Sequence, residues 1–355
     1  MTGEEVAPSD RLNRVVELAV LAEELGIDSF SVGERHAGPV LSSAPTVVLG
    51  GAIAQATDRI LLSTGVTVLS LLDPIRVAED FGTIDQLSRG GRLEIVIGKG
   101  NEVLQYPLLG LDIAKQYEYL TENYELLKLL ISEENVKWVG GTHRPSLEDA
   151  TTLPRPYDGP FRIWHGSATS FEAVELAAKW GRPHRHRQRF QPRENYKVLI
   201  DHYREQYLAY GHDPAKAYVG SGSGGLFLAD TTEQAIEEFR PIYEGAVAQA
   251  DKRKHDPPKA VGKSTSFRTI EEAVDRGPAL VGSSERVAEK ILDYHQSYGH
   301  DFQSVSVNHV LDFEQQKDTL RRFAEEVIPL VKAELSTTLW TSVDKDRAKG
   351  FTAVD

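Results

Sequence analysis

Apolar residues recur along this chain with two alternating periods. Between residues 11 and 25 they fall at Leu12, Val15, Val16, Leu18, Ala19, Ala22 and Leu25. That spacing, near 3.6, predicts an amphipathic helix, and Gly26 stops it. Residues 27–32 then read as a short strand. The alternation continues with a helix over 44–56, a strand over 60–69, a helix over 74–87 and a strand over 92–97. A long helix over 113–131 carries Tyr117, Leu120, Tyr124, Leu127 and Leu130 on one side. Residues 136–139 and Pro154-Arg155-Pro156 read as an excursion with a small hairpin. A strand at 161–165, helices at 170–180 and 193–210, a glycine-interrupted strand at 218–229 and a helix at 232–250 follow. A polar insertion occupies 251–268. A helix at 284–298, a strand at 302–310, a helix at 313–335 and a polar tail over 336–355 complete the pattern.

Strands that alternate with helices predict a parallel sheet. Strand-then-helix units begin near Ser29, Ile60, Arg92, Phe161, Tyr218 and Phe302. The helices at Arg11 and Arg193 lack a readable strand before them, and restoring both gives the eight units of a (β/α)8 TIM barrel. An open doubly wound sheet is the rival. The expected architecture is α/β, a (β/α)8 TIM barrel with insertions, as one domain over residues 1–335. Its first strand is missing and its sixth strand disrupted. The sixth falls at His184-Arg185-His186-Arg187-Gln188-Arg189, where adjacent charges on both faces oppose burial.

Composition narrows the function. The net charge of −13 over 355 residues argues against a nucleic-acid partner. With no cysteine there is no thiolate metal site, disulfide scaffold or cysteine nucleophile. No spacing of His, Asp and Glu suggests a metal, and no P-loop or nucleophile elbow is present. Residues 1–10 lack the basic and apolar regions of a signal peptide, and no apolar run approaches the ~20 residues that span a bilayer. A cytoplasmic protein without a membrane contact is expected.

The stretch 60–101 carries the candidate chemistry. Two β-branched runs flank one amphipathic helix, and they end in Ser63-Thr64-Gly65 and Gly98-Lys99-Gly100. In parallel α/β folds ligands bind at the carboxyl ends of strands, where small residues let a flat ligand approach the backbone.

These residues, with Val32-Gly33-Glu34-Arg35-His36, Ser42-Ser43-Ala44-Pro45, Asp73-Pro74-Ile75-Arg76, the run from Asp85 to Arg92, Ser167-Ala168-Thr169-Ser170, Tyr210-Gly211-His212-Asp213 and Gly282-Ser283-Ser284-Glu285, occur in one order. In that order the chain resembles the bacterial luciferase-like flavin-dependent oxidoreductases over roughly residues 10–335. The resemblance implies a (β/α)8 barrel that uses reduced FMN to activate dioxygen, with the deazaflavin F420 and hydride transfer as the alternative. It implies phosphate contacts from Lys99, Asn101, Ser167 and Ser170, and a cis peptide between Gly65 and Val66 beneath the flavin ring. Thr64, Gly100 and Gly166 complete the expected cofactor site. A cation, hydroxyls and a helix amino end all suit a phosphate.

Luciferases carry paired histidines after the glutamate. Here the position of the luciferase base is Arg35, so His36 and Arg35 are the catalytic candidates and light emission is not expected. Bland readings stand beside these. Ser167 and Ser170 are good helix caps, Asp73 suits a helix start with an ion pair, Arg35 and His36 could pair with Glu34 or Asp73, and a lone His165 suits a packed core. The leading expectation is an FMN-dependent monooxygenase acting on a small organic substrate and O2. Its partners are a separate NAD(P)H flavin reductase and a second copy in a homodimer. The alternatives are an F420- or FMN-dependent dehydrogenase or reductase, and a degraded, non-catalytic flavin-binding subunit.

Overall fold

The computed structural model describes residues 6–36, 46–100, 102–167, 169–187, 192–252 and 267–335. The chain divides into two compact units, one holding Val15–Gly166 and the other Ser167–Leu339.

Helix α1 (Pro8–Glu24) leads into the first unit, and among the described residues no strand precedes it. Then come β1 (Ser29–Val32), α2 (Thr46–Ala56), β2 (Leu61–Thr64), β3 (Thr67–Val68), α3 (Pro74–Leu87) and β4 (Leu93–Gly98). The short α4 (Gln105–Leu108), α5 (Gln116–Ser132), β5 (Val136–Trp138), β6 (Leu147–Ala150) and β7 (Arg162–Ser167) follow. Strands β1, β2, β4 and β7 lie side by side and parallel, and β3 also pairs with β4. Val32 is opposite Thr64, Val68 opposite Gly98 and Ile97 opposite His165, so one register gathers the carboxyl ends of the strands. Strands β5 and β6 are the predicted hairpin.

Every residue of β4 is buried, as its apolar run requires. Its one charge, Glu94, is partnered in register by Arg162 at 3.8 Å, and Trp164 Nε1 reaches the same carboxylate at 3.4 Å. Two polar clamps hold the amino end of β2. The buried Arg92 guanidinium donates to Ile60 O at 3.0 Å and to Thr57 O at 2.8 Å. The Glu23 carboxylate accepts the backbone N–H groups of Asp58, Arg59 and Ile60. The Arg92 bonds satisfy buried donors and acceptors that would otherwise cost ~1–3 kcal/mol each.

The second unit runs through α6 (Phe171–Lys179), β8 (His184–Arg187), α7 (Arg193–Ala209), β9 (Val219–Gly222), β10 (Leu226–Leu228) and α8 (Thr232–Lys252). It continues with α9 (Ile270–Asp275), β11 (Leu280–Gly282), α10 (Ser284–Tyr298), β12 (Phe302–Ser304), α11 (Phe313–Arg322) and, after a π-turn, α12 (Ile328–Glu334). Parallel pairs join β8 to β9, β9 to β12, and β10 to β11. The core around α7 is rich in tyrosine, and three of its hydroxyls donate to carbonyls: Tyr203 to Arg182, Tyr207 to Gly181 and Tyr298 to Arg193.

The disrupted sixth strand is corrected here, because His184–Arg187 does form a strand. Its alternation has period two. His184 and His186 are sealed from solvent, with His186 stacked on Tyr196 at 5.7 Å and His184 lying 5.6 Å from Tyr203. Burial, with His184 and His300 nearby, holds the His186 imidazole neutral by pushing its pKa well below the ordinary value. Arg185 places its guanidinium 4.1 Å above the Phe302 ring. The expected desolvation cost is avoided because the buried side chains are the two that can discard their charge.

Other boundaries also shift. The 60–69 strand breaks after Thr64, and 218–229 divides into β9 and β10. Helix α9 and strand β11 were not predicted, being too short to show a period. The residues 42–45, 188–191, 253–266 and the tail 336–355 lie outside the described residues. Among the described residues no helix is long and apolar enough to cross a membrane, and no cluster of three or more His, Asp or Glu could hold a metal.

Candidate active site

The strand ends of the first unit carry most of the candidate residues. After β1, Glu34 turns inward and ties two segments together. Its Oε2 accepts the Val68 N–H at 3.0 Å, and its Oε1 lies 2.6 Å from His36 Nε2. That hydrogen bond raises the His36 pKa above its ordinary value, against an opposing effect of burial. Arg35 stands 3.8 Å from the Glu102 carboxylate. The pairing of His36 with Glu34 is one of the structural readings realised, and it sets an imidazole at the strand end.

Thr64 is buried, and its hydroxyl serves the sheet. Its Oγ1 accepts the Val96 N–H at 2.9 Å and a hydrogen bond from Thr67 Oγ1 at 3.1 Å. Next to it the Gly65-Val66 peptide is cis, as the resemblance implied. A Cβ at Gly65 would meet Ser31 Oγ at 2.8 Å. The Val66 side chain lies over two other strand ends. A Cβ at Gly166 would come within 2.7 Å of Val66 Cγ1, and one at Gly98 within 3.2 Å of Val66 Cγ2. These two glycines therefore make room for Val66, where glycine at strand ends had suggested room for a ligand. Val66 in turn forms an apolar step above β4 and β7.

Beyond Gly98 the chain is pinned at Lys99, whose carbonyl accepts from Tyr106 at 2.8 Å and from Ser70 at 3.2 Å. The Lys99 ammonium lies 5.8 Å from the centre of the Tyr117 ring. Gly100 has φ +71°, and a Cβ there would meet Gln105 Nε2 at 2.4 Å, so only glycine fits. Asn101 lies outside the described residues.

Asp73 is a helix cap, its Oδ1 accepting the Ile75 N–H at 2.8 Å while Arg144 binds its other oxygen. His165 is buried and packs edge-on against Tyr124 at 4.9 Å, which is the core role. Strand β7 continues from Gly166 to Ser167, and Ser167 Oγ accepts the Ser170 N–H at 3.0 Å. Ser170 caps α6 through the Ala173 N–H at 3.3 Å and donates to Glu172 at 2.8 Å. Ser170 is thus the cap and Ser167 braces it, and Glu172 sets a carboxylate in the first turn of that helix. Sequence reasoning missed the double role of Glu34, the cover that Val66 provides and the hold of Tyr106 on Lys99. Glu34 alone had a signal, its place in the Glu-Arg-His motif.

The luciferase-like monooxygenase pattern matches residues 1–301 of this chain. The chain belongs to that family. Among its relatives is the 4-hydroxyprotoasukamycin monooxygenase of Streptomyces nodosus subsp. asukaensis, 27% identical over 92% of this chain and 89% of that protein. Among solved structures, the monooxygenase RslO1 from Streptomyces bottropensis superposes with a TM-score of 0.76 at 25% identity, covering 91% of this chain and 96% of its own. The oxygenating constituent of 3,6-diketocamphane monooxygenase from Pseudomonas putida, a type II Baeyer–Villiger enzyme in complex with FMN, shares the fold with a TM-score of 0.74 at 18% identity over 92% and 95% of the two chains. In this luciferase-like chain the cis Gly65-Val66 bond and the gathered strand ends belong to one unit.

Proposed function

We propose that the protein is a luciferase-like monooxygenase on a (β/α)8 barrel that uses reduced FMN and O2 to oxidise a small organic substrate. The observation that carries this reading is the apolar step of Val66, seated over Gly98 and Gly166. Such a surface suits the face of a flat aromatic ring. Lys99, Gly100 and Asn101, with Ser167 and Ser170 at the start of α6, are the residues that would hold the phosphate tail. A cation, a backbone turn at positive φ and a helix amino end fit that group.

When bound, reduced FMN supplies the electrons that activate dioxygen. The chain's own residues bind, orient and exclude water. Glu34 fixes His36 and raises its pKa through their hydrogen bond, so His36 is the acid–base candidate. Arg35, held near Glu102, supplies positive charge beside it. The Pseudomonas neighbour is an oxygenating constituent, which supports a separate NAD(P)H flavin reductase as the source of reduced FMN. A soluble cytoplasmic homodimer completes the reading.

Anaerobic titration with reduced FMN, followed by admission of air, tests the proposal. The expected result is saturable binding of FMN and O2 uptake coupled to substrate loss. Binding of F420 with no O2 uptake would replace it with the dehydrogenase reading. Failure to bind either cofactor would leave the non-catalytic one.

A further inference from the structure

A cavity lies wholly within the other unit. It measures about 510 Å3 and opens among the start of α7, the end of α9 and one side of α10. Its lining is charged, but most of that charge is spoken for. Arg286 pairs with Glu289 at 2.7 Å, and Arg193 pairs with Asp293. A balanced lining gives a free anion or cation little reason to bind. Lys290 differs from its neighbours. It is only 5% exposed, and its Nζ donates to two neutral carbonyls, Ala273 O at 3.0 Å and Val274 O.

Those carbonyls end α9, so Lys290 caps that helix whatever else it does. Its burial has a chemical consequence. Desolvation, helped by the charge of Arg286, lowers its pKa to about 7, against the opposing pull of Asp275 and Asp293. A large share of the side chain is therefore uncharged in mildly alkaline solution. An uncharged amine has two N–H bonds. Both are satisfied by the two carbonyls, which leaves the lone pair as the free valence of a group that lines a cavity.

We propose that Lys290 is a site of reversible carbamylation by carbon dioxide. The Nζ lone pair attacks the carbon of CO2, the N–C bond forms, and one C=O π pair moves onto oxygen. One Nζ proton leaves to solvent, and the product is a carbamate anion. Nothing is oxidised or reduced, and no further reactant is needed. Arg193 and Arg286, which disfavour an ammonium at this point, favour the anion that replaces it, and Asp275 and Asp293 oppose it. CO2 is small and uncharged, so it enters a charged lining without competing for the ion pairs. This site is independent of the flavin reading and is unaffected if that reading fails.

The test uses the full chain equilibrated with carbon-13 bicarbonate at about pH 8, above the lowered amine pKa. The carbamate is fixed by alkylating its carboxylate with a trialkyloxonium salt, then mapped by proteolysis and mass spectrometry. The expected label falls on the Lys290 peptide. It disappears in Lys290→Arg, which keeps donors for the two carbonyls, and falls about threefold in Arg286→Gln, a screened cation's share of the product's stability. A carbon-13 carbamate resonance from the intact wild-type chain gives a second readout that needs no variant. Label absent from Lys290, or found on exposed lysines such as Lys197 instead, overturns the proposal even if the variants do not fold.

Discussion

Strands β4 and β8 put charged residues into buried sheet by opposite means. In β4 the charge is kept and matched: Glu94 is partnered by Arg162 on the neighbouring strand, with Trp164 donating to the same carboxylate. In β8 the charge is discarded. His184 and His186 face inward as imidazoles among tyrosine rings, and Arg185 is stacked on Phe302. Burying an ion pair costs desolvation that good geometry must offset, whereas a buried histidine avoids most of that cost by losing its proton. A strand's charge at neutral pH in water is therefore a poor guide to whether it can be buried. What matters is which side chains can change protonation or find a partner.

The comparison breaks most readily with acid. His186 and His300 have pKa values lowered by burial, to about 3 for His300. The unfolded chain, with ordinary histidines, takes up more protons as the pH falls below about 6.5, so the stability of the β8 region is full above that value and is lost toward the lower folded values. Between pH 6.5 and 4.5 the loss is about 2–3 kcal/mol for His300, and His186 adds to it in the same direction. Urea unfolding at stepped pH measures it, and His300→Leu should flatten the curve. A flat wild-type curve would mean that these imidazoles are not buried as neutral groups.

The strand ends of the first unit answer to activity. His36→Gln is expected to lower turnover by roughly 100-fold with the fold intact, the usual worth of an acid–base group. Glu34→Gln removes the carboxylate that raises the His36 pKa, so the alkaline limb of the pH–rate profile should move toward acid. Full turnover in His36→Gln would remove His36 from the chemistry.

Packing around Val66 gives a smaller effect. Gly166→Ala should cost about 1–3 kcal/mol of stability through overpacking against Val66 and Val96. Adding Val66→Ala should restore much of that loss, because the two groups share one space. Independent, additive losses in the double variant would mean that Val66 is not what occupies it. The smallest expected effect is that of Lys99→Met, a drop of about tenfold in affinity for reduced FMN, or roughly 1.4 kcal/mol. Unchanged affinity there would move the phosphate elsewhere.

Much of this was legible along the chain. The α1, α3, α5 and α10 helices and the β2 and β4 strands follow from periodicity within a few residues, because each buries one face of a regular element. The motif order pointed to the family, and the cis bond at Gly65-Val66 lies where that resemblance implied. Individual residues were harder to read. Ser167 and Ser170 accept backbone N–H groups at the approach to and start of α6, and such a contact and a phosphate contact use the same hydroxyls. Glycine at 65 and 98 suggests space for a ligand, but the space at Gly98 holds Val66, a residue distant from it in sequence. Strand β11 has three residues and no readable period, so its existence depends on the pairing it makes with β10.

From sequence alone came the alternation of strand and helix, the family and the identity of the strand ends that gather. These follow from local spacing, since a helix or strand announces its buried face every few residues. The tertiary structure decided that His184–Arg187 enters a sheet, that Glu34 grips both Val68 and His36, and that Lys290 is buried against two carbonyls. Each of these depends on groups far apart along the chain changing one another's solvation, charge or room. No periodicity carries that information.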